Sequence, residues 1–292
     1  MVQSMIQKKM MTPRLTASLV LYQSDPAEFE IAIRSFLNAA PDAVLVVSDN
    51  SPEPLSSGLF EHPQIIYMHN GANLGFGKAH NRAFAKVAEK SDLHLLLNPD
   101  VSFGSKVLQH LASLMADDPE IGAIMPQIRY SDGRLQPLCK LLPTPMDLIF
   151  RRFLPESPTL TALNQRYELH GLPQTSRCDI PNLSGCFLLV RSELFASLKG
   201  FDERYFMYME DVDLVRRIGT HARTMYEPAV SVTHLYNKGS YRNRRLLRYH
   251  TVSAVRYFNK WGWLLDRERD GRNRKMTTYL AHQTRGGAET GN

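Results

Sequence analysis

The chain has 292 residues and a mass of 33.2 kDa, which is enough for one large α/β domain or two small ones. Apolar residues make up 43% and charged residues 22% of it, a composition that excludes wholesale disorder. The net charge of +6 is unevenly spread, because residues 238–292 hold 13 Lys/Arg and 4 Asp/Glu while the remainder carries a net charge of −3. This split argues against a dedicated nucleic-acid-binding domain and favours an anionic partner, such as a membrane surface, for the C-terminal end.

The three cysteines, Cys139, Cys178 and Cys186, form no metal-binding or disulfide pattern, which is typical of a reducing compartment. No apolar run approaches the roughly 18 residues that span a bilayer. Residues 1–13 lack the apolar core of a signal peptide, and we expect them to be flexible. We therefore expect a cytoplasmic protein that is soluble or attached to a membrane only at its surface.

Short apolar runs alternate with helical patterns through the first half of the chain. Strands are predicted over 15–22, 43–48, 65–68, 93–97 and 121–128, and helices from Pro26, over 76–90 and over 104–115. This alternation predicts a mostly parallel sheet flanked by helices. Ligands bind beyond the carboxyl ends of such strands, where Tyr22, Asp49 and Asp100 lie.

The second half begins with a proline-rich excursion over 137–181, a long irregular segment of the kind that is often functional. Further strands are predicted over 182–190, 223–226 and 230–235, and helices over 193–198 and 211–218. A basic amphipathic helix is predicted over 242–265, with Val252 and Val255 on its apolar side. The polar tail 271–292 is predicted to be disordered.

Two aspartates follow buried strands, and each has two interpretations. Asp49 could accept a hydrogen bond from a nucleotide base or ribose, but it could equally cap the turn that Asn50 and Ser51 begin. Asp100 follows Pro99, which forces the chain out of the sheet. Its carboxylate could hold Mg²⁺ or Mn²⁺, or could simply form an Asx turn.

A glycine-rich stretch, Asn73 to Asn81, opens the helix predicted from residue 76. Gly75 and Gly77 could let the backbone approach a phosphate at the helix N-terminus, or could be an ordinary helix start. A dinucleotide-binding fingerprint needs a third glycine where His80 stands, which argues against an NAD-dependent oxidoreductase. A nucleotidyltransferase is disfavoured because no glycine-rich triphosphate loop follows the first strand.

Three carboxylates, Glu210, Asp211 and Asp213, lie within four residues at a predicted helix start. The helix dipole favours acids there, but a buried cluster would also raise one pKa, as a general base requires. His234, at the end of a strand-like run, could be a metal ligand or a structural histidine.

These motifs, taken in order, resemble the inverting glycosyltransferases of family 2, and most closely the bacterial rhamnosyltransferases of O-antigen and related polysaccharide assembly. The resemblance covers about residues 15–257. It rests on the stretches 47–51, 73–81, 97–101, 183–186, 200–203 and 210–214.

The resemblance implies the GT-A fold, with a catalytic domain over 14–240 and a C-terminal helical region over 241–270. Within the domain, a nucleotide-binding half of about 14–130 would precede an acceptor-side half of about 131–240. The donor would be a nucleotide sugar, most simply dTDP-L-rhamnose, with UDP-galactose or another UDP-sugar as the alternative. The acceptor would be a polyprenyl-diphosphate-linked sugar or an oligosaccharide.

The resemblance also implies roles for individual residues. Asp211 would be the general base, with Glu210 as the alternative. Asp100 would be the remaining acid of the metal motif, with Asn98 in place of the first acid, and His234 would face the metal or the diphosphate. The residues that would line the donor nucleotide are Tyr22, Asp49, Asn73, Gly75, Phe76, Gly77, Asn81 and Asn98. A non-catalytic binding protein on the same fold is the alternative from another class, although intact acids speak against it.

The predicted helix over 242–265 has two interpretations. Its arginines, among them Arg244, Arg245 and Arg248, could be a solvated face. They could also hold the enzyme at the inner leaflet of the plasma membrane, where anionic lipid attracts basic clusters.

Overall fold

The computed structural model describes residues 13–150, 157–235 and 244–289. The strands within these residues are β1 (Leu15–Leu21), β2 (Val44–Asp49), β3 (Ile65–His69), β4 (Leu93–Leu97), β5 (Val101–Phe103), β6 (Ile121–Arg129), β7 (Cys178–Asp179), β8 (Phe187–Arg191) and β9 (Arg223–His234). The helices are α1 (Pro26–Ala39), α2 (Phe76–Ala85), α3 (Lys106–Asp117), α4 (Pro158–Tyr167), α5 (Ser192–Ser197), α6 (Glu210–Ile218), α7 (Arg244–Trp261) and α8 (Arg267–Glu289). A π-helical turn covers Met146–Phe150.

The strands form one mixed sheet in the order β3-β2-β1-β4-β8-β6-β9-β5, and β7 pairs with β9. The first four strands in this order run parallel, as the alternating pattern predicts. β8 then enters antiparallel between β4 and β6, while β6 and β9 run parallel. The predicted fold class, a mixed α/β sheet flanked by helices, is confirmed.

The centre of the sheet is built from strands that are buried on both faces. Every residue of β4 is buried, and α1 covers one face with the fully buried Phe29, Ile33 and Phe36. Such continuous apolar runs are typical of parallel strands between two helix layers. They make β4 a rigid support for the polar residues that follow it.

The strand registers bring the predicted site to one edge of the sheet. Leu21 at the end of β1 pairs with Asp49 at the end of β2, and Asp49 pairs in turn with His69. β4 ends beside them at Leu97. The turns after β1, β2 and β4 therefore lie at the same edge of the sheet, as expected from the sequence.

The second half differs from the predicted elements in two places. β8 begins at Phe187 rather than at residue 182, because residues 183–186 form a turn. The two strands predicted over 223–235 are one strand, β9, which pairs with β6 on both sides of an irregularity at 228–230.

The predicted disorder of 271–292 is wrong for residues 271–289, which belong to α8. The helix is held by tertiary contacts that its polar composition does not reveal. Asn273 exchanges two 2.8 Å hydrogen bonds with the backbone of Leu142, and Met276 is buried. The helix predicted over 242–265 ends at Trp261. Three parts of the sequence predictions lie outside the described residues. They are residues 242–243 of this helix, residues 1–12 of the expected flexible N-terminus, and residues 290–292 of the tail. In the described part of the chain, each helix is too short or too polar to cross a bilayer.

Candidate active site

One turn, residues 183–186, joins the two halves of the site. The Asn98 N–H, just after β4, donates to the Cys186 carbonyl at 2.8 Å. On the other side of the turn, the Gly185 N–H donates to Asp211 Oδ2 at 3.1 Å. The end of β4 and the start of α6 are thereby fixed relative to each other, although they are more than a hundred residues apart in sequence.

The acid pair Glu210–Asp211 opens α6, where Glu210 is buried and Asp211 is half-buried. Burial raises the pKa of both carboxyls, and the charge of Asp211 raises that of Glu210 further. Asp211 is compensated by the N–H groups of Gly185 and Val212, at 3.1 and 2.8 Å. Glu210 Oε2 has no hydrogen-bond partner among the described residues. Since hydrogen bonds favour the charged form, these contacts favour the charge on Asp211 and the proton on Glu210.

Strained backbone precedes this pair. Tyr208 and Met209 both have left-handed backbone, with φ of 68° and 65°, which is costly for side chains larger than glycine. Helix α7 holds the segment in place, because Ser253 Oγ donates to the Met207 carbonyl at 2.8 Å and Tyr249 packs on Phe206 with ring centroids 4.6 Å apart. The position of the acid pair therefore depends on the packing of α7.

Asp213, the third acid of the cluster, is structural. Its fully buried carboxylate lies 2.8 Å from Arg217 Nε and 2.7 Å from Lys260 Nζ, and it accepts the Trp261 Nε1–H at 2.8 Å. These contacts tie α6 to the end of α7 and occupy the carboxylate fully. The structure thus separates one acid from the two that could take part in chemistry.

Asp100 and His234 meet at the end of β4, with Asp100 Oδ1 3.2 Å from His234 Nε2. The other imidazole nitrogen, Nδ1, lies 3.0 Å from Gln136 Oε1. Because an amide oxygen can only accept, this contact assigns the proton of a neutral imidazole to Nδ1 and leaves a lone pair on Nε2. Asp100 Oδ1 is buried without a hydrogen-bond donor among the described residues. A carboxylate oxygen and an imidazole nitrogen are both groups that can bind a divalent cation.

Within residues 13–150, 157–235 and 244–289, no group of three or more His, Cys, Asp or Glu side chains could enclose a metal ion. Asn98, which stands in the position of a second acid, is half-buried at the same strand end. A cation held by Asp100 and His234 would complete its ligand set with phosphate and water oxygens, as Mg²⁺ commonly does. The residues present therefore fit Mg²⁺ or Mn²⁺, through two protein ligands.

Asp49 is fully buried and already accepts three hydrogen bonds. Its donors are the backbone N–H groups of Ser51 and Leu55, both at 2.8 Å, and the Tyr67 hydroxyl at 2.6 Å. Burial favours a higher pKa of Asp49, but these donors outweigh it and hold the pKa below its ordinary value. In this structure Asp49 stabilises its own turn, and its contact with the nucleotide base of a donor stays a prediction. Tyr22, which is exposed, lies on the adjacent loop.

The glycine-rich stretch packs against the segment that leads into α6. Gly75 has φ of 83°, and a Cβ there would collide with the Phe206 carbonyl. The same carbonyl accepts the Phe76 N–H at 3.0 Å, so the first donor of α2 is occupied. Asn73 Oδ1 accepts the Gly75 N–H at 3.0 Å, and Asn50 Nδ2 donates to the Gly75 carbonyl at 3.1 Å. These contacts give the stretch a structural role, and contact with a diphosphate stays a prediction.

Gly77 and Asn81 continue this packing along α2. A Cβ on Gly77 would collide with the Phe201 side chain. Asn81 binds the backbone of Phe201 twice, accepting its N–H at 2.8 Å and donating to its carbonyl at 2.9 Å. Asn81 thus ties α2 to the 200–206 segment, away from the strand ends where Asp49 and Asp100 lie.

Two residues near the site were not singled out from the sequence. Lys140 lies close enough to Asp211 for its charge to oppose the rise in the pKa of that carboxyl. Gln136 orients His234. Both lie at the start of the proline-rich excursion, where the sequence has no periodicity that could have indicated their position. Nearby, burial and the charges of Asp100 and Asp211 raise the pKa of the Cys186 thiol to about 12, so that it is unsuited to nucleophilic catalysis.

Comparison with known proteins identifies the family of the chain. The model of a family described as glycosyl transferase family 2 matches residues 19–198. Over 241 residues the chain is 34% identical to an N-acetylglucosaminyl-diphospho-decaprenol L-rhamnosyltransferase from Mycobacterium tuberculosis, covering 77% of this chain and 76% of that protein. Over 243 residues it is 27% identical to rhamnosyltransferase WbbL from Escherichia coli, covering 77% and 86%.

Among solved structures, the fold resembles that of a mannosyltransferase from Pyrobaculum calidifontis in complex with GDP-Man and Mn²⁺, with a TM-score of 0.55 and 17% identity. The match covers 85% of this chain and 66% of that chain. The family expected from the sequence motifs is confirmed: the chain belongs to glycosyl transferase family 2, and it is a glycosyltransferase.

Proposed function

We propose that this chain is an inverting rhamnosyltransferase that moves L-rhamnose from dTDP-L-rhamnose to a hydroxyl of a lipid-linked sugar acceptor in cell-surface polysaccharide synthesis. The observation that carries the proposal is the placement of the Glu210–Asp211 pair and the Asp100–His234 pair on either side of the 183–186 turn. The names of the two relatives support the sugar and the class of acceptor. A lipid-linked acceptor implies that the enzyme works at the inner face of the plasma membrane.

Asp211 is the general base of this reaction. The acceptor oxygen forms a bond to the anomeric carbon while the bond from that carbon to the diphosphate oxygen breaks, and the hydroxyl proton passes to the Asp211 carboxylate. Burial suits Asp211 to the task because it raises the proton affinity of the carboxylate. Glu210, which keeps its proton, prevents a second buried charge from forming beside the base. One displacement inverts the anomeric centre, so no covalent intermediate with the protein is needed.

Asp100 and His234 would hold a divalent metal ion, which when bound neutralises negative charge on the diphosphate leaving group. Gln136 keeps the imidazole of His234 turned toward Asp100. Asn98 replaces an acid at this site, so the protein supplies one negative charge there rather than two. We expect a weaker metal site than one with two carboxylates.

The nucleotide would lie across the strand ends near Tyr22 and Asp49. Asp49 Oδ1 accepts the Ser51 N–H, whereas Oδ2 accepts both the Leu55 N–H and the Tyr67 hydroxyl, so Oδ1 is the less occupied oxygen for a nucleotide-base N–H. Because Asp49 is fully buried, such a contact requires the turn at 49–55 to shift. Asn73, Gly75, Phe76, Gly77 and Asn81 would then support the ribose and diphosphate mainly by fixing the neighbouring backbone.

A transfer assay over a panel of donors tests the proposal. The purified chain is incubated with dTDP-rhamnose, UDP-galactose, UDP-GlcNAc or GDP-mannose and a short-chain lipid-diphosphate-GlcNAc acceptor, with EDTA and with EDTA followed by Mn²⁺. We expect transfer from dTDP-rhamnose, loss of it with EDTA and recovery with Mn²⁺. Transfer from a UDP-sugar alone would replace the donor assignment, and no transfer from any donor would contradict the proposal.

A further inference from the structure

The short connection between α7 and α8 exposes a cluster of large apolar side chains. Leu264 is 82% and Leu265 93% exposed, and Trp263 beside them is 39% exposed. These three consecutive residues are here called the apolar tip. Its two leucines contribute almost nothing to the hydrophobic core. Isolated exposed leucines are ordinary, but a contiguous Trp-Leu-Leu tip is a feature of surfaces that meet a partner.

The apolar tip is held rigidly in its exposed position. Asp266 forms two 2.7 Å hydrogen bonds with the buried Arg216, whose guanidinium lies 4.0 Å above the Trp261 ring. On the other side, Gly262 turns the chain with φ of 102°, and the Trp263 indole N–H donates to Asn259 Oδ1 at 2.8 Å. Since both ends of the connection are fixed, the leucines cannot fold back onto the core without breaking these contacts.

A stripe on α7 leads directly to the apolar tip. Its exposed members recur at helical spacing and end at Asn259, which binds Trp263; they are Arg244, Arg248, Val252, Val255 and Asn259. At 100° per residue they fall within roughly 80° of the helix circumference. Basic residues occupy the first half of this α7 stripe, and apolar residues the second. The sequence predicts Val252 and Val255 on the side opposite the basic residues, but both are about 40% exposed and share this stripe with Arg244 and Arg248.

We propose that the α7 stripe and the apolar tip together dock on an anionic lipid bilayer. Leu264 and Leu265 would enter the acyl-chain region, and Trp263 would lie at the headgroup level that indole rings prefer. Arg244 and Arg248 would contact lipid phosphates, in keeping with the net charge of +9 over residues 238–292. The apolar side chains that would insert into the bilayer and the arginines that would attract lipid phosphates lie on one continuous surface. Reversible membrane binding requires this arrangement.

The opposite face of α7 connects this surface to the chemistry. Tyr257 and Phe258 pack there with Tyr205, Met209 and Val212, the residues on either side of the acid pair. A bilayer docked on the α7 stripe would therefore lie about one helix diameter, roughly 10 Å, from the start of α6. This deepens the proposed function by bringing the lipid-linked acceptor to the base, but binding to lipid does not depend on any sugar transfer.

Vesicle flotation without any donor tests the docking surface directly. We expect the wild-type chain to float with phosphatidylcholine vesicles that contain phosphatidylglycerol. Leu264→Ser with Leu265→Ser should lower the partition coefficient at least about tenfold, since it removes two inserted side chains. Arg244→Gln and Arg248→Gln should each lower it about fivefold, and only when phosphatidylglycerol is present.

Matched controls keep the result specific. Ile31→Ser on α1, where the side chain is 46% exposed, and Arg34→Gln on the same helix should leave flotation unchanged. The chain has two tryptophans, so a blue shift of fluorescence on vesicles that disappears in Trp263→Phe reports the apolar tip alone. Circular dichroism should show that Leu264→Ser with Leu265→Ser keeps the fold.

Three results would overturn the docking proposal. The first is that the wild-type chain does not float with the vesicles. The second is that the double serine variant floats as well as the wild type. The third is that the only effect of the double serine change is to convert a dimer into a monomer, as measured by light scattering. The last result would assign the apolar tip to a second copy of the chain. Transfer to a water-soluble acceptor should be unchanged in the double serine variant. A failure of lipid docking would thus leave transfer intact, whereas a failure of the proposed function would leave flotation intact.

Discussion

Asp211 accepts the backbone N–H of Gly185 at 3.1 Å, and this bond fixes the first turn of α6 against the turn that precedes β8. On the other side of that turn, the Cys186 carbonyl accepts the Asn98 N–H, two residues before Asp100. The proposed base and the proposed metal ligand are therefore positioned by one short segment. This arrangement explains how residues from distant parts of the chain can act on one substrate.

Replacing Asp211 should separate catalysis from folding. We expect Asp211→Asn to lower kcat by about 10²–10⁴-fold, because the amide cannot take the acceptor proton. Glu210→Gln should lower kcat by less than about tenfold, since Glu210 is already uncharged. Steady-state kinetics of both variants, with circular dichroism as the control for folding, checks this. A larger loss for Glu210→Gln than for Asp211→Asn would reverse the assignment of the base.

The pH profile of kcat/KM should show the ionisation of Asp211 as the base. The base works in its unprotonated form, and burial raises the pKa of Asp211, so activity should fall with decreasing pH at a point above the ordinary value of about 3.9. The profile is measured over the acid range for the wild type and for Asp211→Asn. An acid limb that persists unchanged in Asp211→Asn would show that another group controls it.

The same raised pKa values have a consequence for stability. Because folded Glu210 binds its proton more tightly than unfolded Glu210, its contribution is present below the unfolded pKa and is lost as the pH rises through the folded pKa. Glu210→Gln should therefore make the free energy of unfolding less dependent on pH in that range, which urea titrations at several pH values would show.

Asp213 should behave unlike its two neighbours. Asp213→Ala leaves Arg217 and Trp261 without their acceptor, and we expect the free energy of unfolding to fall by about 3 kcal/mol. This is the lower end of the range for a broken buried pair, because Lys260 keeps a 2.9 Å contact with Asp202. Urea unfolding measures the loss, with Asp211→Ala as the matched acid-to-alanine control on the same helix. An Asp213→Ala variant that is inactive but fully stable would contradict the structural role.

A buried histidine network should make the protein sensitive to acid. His80 and His94 are fully buried and joined through Ser18 Oγ, at 2.7 and 2.8 Å, and burial lowers the pKa of each to about 3. Unfolded histidine binds a proton below about pH 6.5, so stability should fall from there toward pH 3, by up to about 1.4 kcal/mol per pH unit for each histidine.

Urea unfolding at about pH 7.5 and about pH 5.5 checks the network. Over this interval His80→Leu should remove about 1.4 kcal/mol of the stability that the wild type loses on acidification. The same change at the exposed His221 is the control. Equal pH dependence in the wild type and in His80→Leu would mean that His80 is not held neutral.

The first half of the fold could be predicted because its signals are local. The apolar runs that form β1, β2 and β4 end at polar turns, and parallel strands gather those turns at one edge, so residue order alone assigns Asp49 and Asp100 to one crevice. The family motifs then indicate which acids matter for the chemistry.

What the sequence could not reveal depends on contacts between distant residues. Asn81 binds Phe201 across 120 positions, and Gly75 is needed because of the Phe206 carbonyl, so the structural roles of both could not be predicted from the sequence. Asp213 is no different from Asp211 in sequence until Lys260 and Trp261 are seen beside it. Helix α8 is polar along most of its length, and its order comes from contacts with Arg216, Leu142 and the core around Met276 rather than from helix propensity.

The reaction proposed for this chain is a single displacement with Asp211 as base, and the anomeric configuration of the product shows whether one displacement or two take place. NMR of the rhamnoside formed from dTDP-L-rhamnose should show the configuration opposite to that of the donor, because attack comes from the face opposite the diphosphate. A product with retained configuration would require a second displacement and would contradict the account.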